Sequence, residues 1–178
     1  KATVTGNNDE PWSAKFPGRE DDYDVAGWEQ LTHELAVEAG VIMAPCEARK
    51  LGNQYKTFLT RRFDRTAQSR VHFTSAMTQL GYYDGRADGA SYLEIAEFLT
   101  RSGGNVTQDL QQLWRRILFN VLVSNTDDHL RNHGFLLTPG GWVWSPAYDV
   151  NPNPEGPSGL TLNIDGTSNA LDIELVMS

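Results

Sequence analysis

One stretch, from Ser124 to Val150, constrains the fold and chemistry of this 178-residue chain more than any other. It opens with a polar run, SNTDDHLRNH, directly after a segment whose apolar residues recur at helical spacing: Leu110, Leu113, Trp114, Ile117, Leu118, Val121 and Leu122. This spacing predicts a core helix over about 108–123 with a wide apolar face. Pro139-Gly140-Gly141 then supplies the turn of a β-hairpin over 134–145. A crowded polar loop is therefore expected between two rigid elements.

The polar residues of this stretch come in a defined order: Asp127, Asn132 five residues later, then the hairpin, then Asp149. Protein kinases have the same order, with a catalytic-loop aspartate, a metal-binding asparagine five residues on, and a second metal-binding aspartate after a short β connection. Mg²⁺ is a hard ion that prefers carboxylate and amide oxygens. We therefore expect Asn132 and Asp149 to bind Mg²⁺, and Asp127 to orient a substrate hydroxyl and accept its proton.

The motifs TDDHLRNHGF and SPAYD are specific enough to indicate a family. They resemble the catalytic core of the HipA-like serine/threonine kinases, the toxin components of bacterial toxin–antitoxin pairs, which carry T-D-x-H-x-[KR]-N followed by P-x-Y-D. AKFP around Lys15 and RFDR at 62–65 resemble the same family, in kinase order. The resemblance implies an α+β, two-lobed protein-kinase-like fold. It divides the chain into a partial small β lobe (1–64) and a truncated, mostly helical large lobe (65–178).

The resemblance also implies roles for further residues. Lys15 matches the lysine that reaches the ATP phosphates from a strand of the small lobe. Arg61 and Phe63, near the hinge, are expected to flank the adenine. His129 and Arg131 are expected near the transferring phosphate, with Arg131 adding positive charge. Together with Asn132 and Asp149, these residues form the expected site for ATP and Mg²⁺.

Two hairpins and one helix are predicted in the small lobe. Strands over 2–5 and 12–16 flank the turn-rich segment 6–11, and strands over about 44–51 and 55–63 flank a Gly-Asn turn. The helix covers 25–39, and its face of Val25, Trp28, Leu31, Leu35 and Ala39 is expected to pack on the core. Glu34, nineteen residues after Lys15, is a candidate partner for that lysine, although such a glutamate is more often solvated.

Local sequence signals predict the structure of residues 66–104. The polar run 66–89 predicts loops with one helical turn. Ser91-Tyr92-Leu93-Glu94 is a capping box that opens a helix through about Thr100, and Gly103-Gly104 ends it.

Charge and composition exclude several classes of function. The net charge of −8 disfavours direct binding of nucleic acid. The single cysteine, Cys46, cannot form an internal disulfide, and no apolar run is long enough to span a membrane, so a cytoplasmic setting is expected. The chain contains no G-x-G-x-x-G loop, and both ends look cut. We therefore interpret it as a fragment whose phosphate loop lies upstream.

The family resemblance implies a toxin that phosphorylates a protein such as an aminoacyl-tRNA synthetase, with a HipB-like helix-turn-helix antitoxin as its partner. Two alternatives remain open from the residues. His129 and His133 have the i, i+4 spacing of a zinc site, which would suit a metal-dependent hydrolase. A module without activity that binds a protein partner is the other.

Overall fold

A four-stranded antiparallel sheet forms the first part of the computed structural model, which describes residues 1–6, 10–66, 68–153, 155–156 and 158–178. Its strands are β1 (Ala2–Thr5), β2 (Pro11–Lys15), β3 (Cys46–Arg49) and β4 (Thr57–Arg61), in the order β1-β2-β4-β3. Both predicted hairpins are confirmed, since β1 pairs with β2 and β3 with β4. Residues 7–9, inside the first predicted turn, lie outside the described residues.

Helix α1 (Val25–Glu38) packs on this sheet with a face that the sequence did not indicate. Its buried residues are Ala26, Glu29, Thr32 and Ala36, whereas Trp28, Leu31 and Leu35 are between 44% and 52% exposed. Small side chains let the helix approach the strands closely, and Glu29 contacts Lys15 of β2. The predicted core face was therefore wrong, because an apolar stripe at helical spacing does not say what the helix packs against.

The rest of the chain is mainly helical around a second, three-stranded sheet. Its elements are β5 (Phe73–Ser75), α2 (Ala76–Gln79), α3 (Tyr92–Ser102), α4 (Val106–Leu122), β6 (Gly134–Thr138), β7 (Gly141–Trp144) and α5 (Ile173–Met177). The hairpin β6–β7 and helices α3 and α4 are confirmed, and the Glu94 carboxylate accepts a hydrogen bond from the Ser91 amide at 2.9 Å. The polar run 66–89, predicted as loops with one helical turn, carries no strand pattern. Strand β5 forms there because it pairs with β6.

The main core lies between α3, α4, the hairpin and the irregular segment 160–164. Ile95, Leu99, Phe135, Leu160 and Leu162 are each at most 2% exposed. Burial of such side chains contributes roughly 1.5–3 kcal/mol each. This core supports the C-terminal end of α4, from which the polar loop departs. Within the described ranges, no helix is long and apolar enough to cross a membrane.

Candidate active site

A cleft of about 380 Å³ lies between the four-stranded sheet and the segment that follows the hairpin. Five of the seven residues predicted to bind ATP line it: Lys15, Arg61, Phe63, Arg131 and Asp149. Residues that the sequence analysis did not single out also line it, among them Lys1, Glu29, Arg62 and Tyr148. His129 and Asn132 do not line the cleft and belong to the adjoining loop, as does Asp127.

Lys15 sits at the centre of an ionic cluster in this cleft. Its Nζ contacts Glu29 Oε1 of α1 and Asp149 Oδ1, and Lys1 Nζ lies 3.1 Å from Asp149 Oδ2. Burial alone would lower the pKa of Lys15, but the two carboxylates together raise it. Burial likewise opposes charge on Asp149, yet Lys15 and Lys1 outweigh it and lower the pKa of Asp149. Both groups are therefore held in their charged forms.

The helical partner of Lys15 is Glu29, fourteen residues away, and not Glu34. Glu34 is exposed and accepts a hydrogen bond from Gln30 Nε2 at 2.8 Å, which is the solvated role expected for it. Glu29 is 3% exposed, and its burial raises the pKa of its carboxyl despite the attraction of Lys15. The signal that could have identified it is its place among small residues, Ala26, Thr32 and Ala36, on one side of α1.

The predicted functional residues of the loop after α4 differ in their exposure to solvent. Asp127 is exposed, so its carboxylate can meet a substrate, whereas Asn132 is 6% exposed in a short 3₁₀ turn, Leu130–Asn132. Asn132 Nδ2 donates to the Asp127 carbonyl at 3.2 Å. Because the nitrogen serves that bond, the amide oxygen is the atom of Asn132 that can bind a cation.

The opposite face of this loop is buried in a hydrogen-bonded network that the sequence analysis did not foresee. Asp128, 2% exposed, accepts at Oδ2 from Tyr92 Oη at 2.5 Å, Asn120 Nδ2 at 2.8 Å and His133 Nε2 at 2.8 Å. Asn125 Nδ2 in turn donates to Asn120 Oδ1 at 3.1 Å. Burial raises the pKa of Asp128, but His133, Tyr92 and Arg116 more than offset this and lower it. The buried carboxylate is therefore ionised, and its Oδ2 accepts three hydrogen bonds.

Arg116 of α4 supplies a buried positive charge beside this network. It is 2% exposed, its Nη2 donates to the Ser145 carbonyl at 2.9 Å, and its guanidinium lies 4.6 Å from the centroid of the Trp144 ring. Burial lowers the pKa of Arg116 to about 10, so it stays charged at neutral pH. Two adjacent arginines on a helix, Arg115 and Arg116, give no sign in the sequence that one of them faces the core.

Arg131 and His129 lie on the outer side of the loop. Arg131 Nη1 is 2.7 Å from Asp84 Oδ1, and its Nη2 donates to His129 Nε2 at 3.2 Å. The Arg131 carbonyl accepts from Tyr148 Oη at 2.7 Å. The guanidinium thus borders the cleft while tied to the 81–89 segment, and the backbone of the loop is fixed to the residue that precedes Asp149.

Phe63 forms an aromatic surface in the cleft together with Phe73 and Tyr148. The Phe63 ring lies 5.8 Å from Phe73 and 5.6 Å from Tyr148, centroid to centroid. Arg61 points to the outer end, where its Nη1 is 3.5 Å from Glu10 Oε1. Phe63 therefore offers an apolar face of the kind that packs against a base, whereas Arg61 is a half-exposed neighbour.

Two non-glycine residues with positive φ delimit the site. Ser124, at the end of α4, has φ of 54°, and Asp149 has φ of 59°. Such backbone costs on the order of 1–3 kcal/mol and persists only where the surroundings impose it. Next to Ser124, the Thr126 carbonyl accepts from both the amide (3.1 Å) and the hydroxyl (2.9 Å) of Thr161, in segment 160–164. Both ends of the polar stretch are thus fixed by distant contacts.

The donor atoms in and beside the cleft fit Mg²⁺ and a nucleotide better than zinc. Asp149 offers carboxylate oxygen and Asn132 amide oxygen, the ligands of a hard cation, and Lys15 offers a fixed positive charge for phosphate. In the part of the chain that the structure describes, no three His, Cys, Asp or Glu side chains cluster as a metal site. His133 is bound to Asp128 and not paired with His129 as a zinc site would need.

The chain belongs to the HipA-like C-terminal domain family, whose model matches residues 1–175. It is 30% identical over 145 residues, covering 68% of this chain and 33% of the relative, to a serine/threonine-protein kinase toxin HipA of Shewanella oneidensis. The chain spans between 20% and 34% of the length of the curated relatives it matches.

Two solved structures share the fold. The Shewanella oneidensis HipA, in complex with HipB and operator DNA, superposes with a TM-score of 0.73 at 22% identity, covering 92% of this chain and 42% of that one. The Helicobacter pylori proinflammatory kinase CtkA gives a TM-score of 0.64 at 14% identity, covering 84% and 54%. The predicted kinase-like α+β fold is therefore confirmed. The division of the chain near residue 64 stays a prediction.

Proposed function

We propose that this chain carries the catalytic residues of a protein kinase that transfers the γ-phosphate of ATP, with Mg²⁺, to a serine or threonine hydroxyl. The observation that supports this most directly is the cluster of Lys15, Glu29 and Asp149 in the cleft. It brings a strand lysine, a helix glutamate and the aspartate after the hairpin into one ionic contact. This is the arrangement that kinases need in order to bind the phosphates of ATP.

Each residue has a separate task in the proposed reaction. Lys15 binds the nucleotide phosphates, and Phe63 packs against the adenine with Arg61 beside it. Asp149 and Asn132 bind Mg²⁺, which supplies charge neutralisation at the phosphates. Asp127 orients the substrate hydroxyl and takes its proton as the hydroxyl oxygen bonds to the γ-phosphorus and ADP leaves. Arg131 and His129 lie near the transferring γ-phosphate, where Arg131 adds positive charge.

The wider biology of the proposal comes from the relatives. The Shewanella HipA structure is a complex with HipB and operator DNA, which supports a HipB-like helix-turn-helix antitoxin as partner here. The family resemblance supports a protein substrate such as an aminoacyl-tRNA synthetase, and a cytoplasmic site of action. The net charge of −8 supports the view that any contact with DNA is made through the partner.

Calorimetric titration of ATP with and without Mg²⁺ tests the proposal. The wild-type chain should bind ATP more tightly with Mg²⁺, and Asp149→Ala should remove this dependence. Asp127→Ala should bind as the wild type does while phosphoryl transfer from radiolabelled ATP falls by about 100- to 10,000-fold. Asp88→Ala, an exposed carboxylate outside the cleft lining, is the control for both. ATP binding that ignores both Mg²⁺ and Asp149 would leave a partner-binding module as the better explanation.

A further inference from the structure

The loop from Asp127 to His133 begins with an exposed residue and ends with two buried ones. Asp127 is exposed, whereas the next residue, Asp128, is 2% exposed. Asn132 is 6% exposed, and the next residue, His133, is 0% exposed. Asp127 and Asn132, the base and the metal ligand of the proposed reaction, are thus each followed by a buried polar residue.

The two inward-facing residues bind each other. Asp128 Oδ2 and His133 Nε2 are 2.8 Å apart, and this bond spans five residues. One residue earlier at each end, Asn132 Nδ2 donates to the Asp127 carbonyl at 3.2 Å, again across five residues. Two hydrogen bonds therefore close the loop, each between residues five apart: one joins Asn132 to Asp127, and the other joins His133 to Asp128.

The buried pair is also fixed to the helices and the hairpin. Tyr92 of α3 and Asn120 of α4 donate to the same Asp128 oxygen, at 2.5 and 2.8 Å. The His133 ring stacks on Trp144 of β7, with centroids 5.4 Å apart and an angle of 17° between the planes. Three elements that do not line the cleft therefore determine where this pair lies.

We infer that the Asp128–His133 pair is a positioning device, which sets the separation and direction of the Asp127 carboxylate and the Asn132 amide oxygen. The inference rests on the proposed function, since it assigns the pair to that reaction. Moving a carboxylate from water into the interior costs free energy, and apolar residues of similar volume often give equal or greater stability. Stability alone therefore does not explain this pair. A charged acceptor with three directed donors instead fixes geometry. A misplacement of about 1 Å at reacting groups can cost roughly 100-fold in rate.

Variants at His133 separate the hydrogen bond from the packing. His133→Phe keeps an aromatic ring against Trp144 but removes the Nε2 donor, whereas His133→Gln restores an N–H donor of similar reach without the ring. His72→Phe is the matched control, because His72 is exposed and also lies beside a tryptophan, Trp142, with ring centroids 5.6 Å apart. Tyr92→Phe removes one donor to Asp128 and leaves the pair intact.

Two readouts are needed, one of them independent of turnover. In phosphoryl transfer from radiolabelled ATP to a mixed serine/threonine peptide library, His133→Phe should lower kcat by roughly 10- to 100-fold and raise the half-saturating Mg²⁺ concentration, because Asn132 is displaced. Amide hydrogen exchange over 127–133 should quicken at least about tenfold in the same variant, with α1 unchanged. His133→Gln should recover most of both effects. His72→Phe should match the wild type, and Tyr92→Phe should lower kcat by no more than about threefold.

Several results would overturn the inference. A folded His133→Phe protein with wild-type kcat and wild-type exchange would do so, as would equal losses in the Phe and Gln variants, since packing alone would then explain them. If His133→Phe does not fold, His133→Gln and Tyr92→Phe decide: a loss of kcat greater than about tenfold in either of these two variants also overturns it. A wild-type chain without Mg²⁺-dependent ATP binding or transfer would instead refute the proposed function, and the inference with it.

Discussion

Different kinds of interaction hold the two sides of the cleft in place. On one side, the loop with Asp127 and Asn132 rests on a buried network of short, directed hydrogen bonds from α3, α4 and the hairpin. On the other, Lys15 is positioned by two carboxylates, Asp149 after the hairpin and Glu29 on a helix whose largest apolar side chains are half exposed. Directed bonds in the interior resist change, whereas ionic contacts at a cleft can be exchanged for a ligand.

This difference suits the tasks proposed for the two sides. The group that takes a proton must stay where the substrate hydroxyl will be, so its support should not move. Lys15 must release part of its contact with Asp149 when phosphate arrives, so its support should be exchangeable. The following substitutions test whether the contrast is real.

The largest effect is expected from Asp128→Ala. Removal of this carboxylate leaves three donors without their acceptor and the buried Arg116 charge without a nearby negative charge, which should lower the free energy of unfolding by about 3–5 kcal/mol. Urea denaturation measures the change. Asp127→Ala, the same substitution one residue earlier at an exposed position, should change stability by less than about 0.5 kcal/mol. Equal losses at the two positions would remove the distinction between the faces of the loop.

An intermediate effect, on binding and not on stability, is expected from Glu29→Gln. The amide avoids the cost of burying a charge, so the free energy of unfolding should change by less than about 1 kcal/mol. Lys15 loses one of its two carboxylate partners, so affinity for Mg²⁺-ATP should fall by roughly tenfold, or about 1.4 kcal/mol. Glu34→Gln, on the exposed side of the same helix, should leave affinity unchanged. A Glu34 variant that weakened binding as much would shift the assignment back to that residue.

The smallest effect is expected from Trp28→Ala. This side chain is 52% exposed, so its loss should cost less than about 1 kcal/mol, whereas Trp144→Ala, at 7% exposed, should cost about 3–5 kcal/mol. Thermal or urea denaturation of this chain compares the two. Similar losses would mean that the outer face of α1 is packed after all, and would weaken the contrast between the two sides of the cleft.

The parts of the fold that the sequence predicts are those with strong local signals. The wide apolar face of α4, the capping box of α3 and the Pro-Gly-Gly turn of the β6–β7 hairpin each mark their element in the local sequence. The cleft residues Lys15 and Asp149 were found because their motifs resemble a known family. What failed depends on tertiary contacts: β5 exists through pairing with β6, and the buried face of α1 is chosen by the sheet beneath it.

The interior of the site shows the same limit. Asp127 and Asp128 are adjacent and chemically identical, and only the position of Tyr92 and Asn120 decides which one faces inward. Glu29 was missed in favour of Glu34 because distance along the chain does not reveal which side of a helix meets Lys15. A sequence indicates which groups are available for chemistry, whereas packing determines their direction.

The two hydrogen bonds that Thr161 donates to the Thr126 carbonyl have a consequence for how this sequence can vary. The residue before Asp127 is tied to a chain position 35 residues later, across the hairpin and the segment that carries Asp149. The amide and the hydroxyl of Thr161 therefore hold the residue that precedes Asp127, so a change that moves Thr161 would be felt at Asp127.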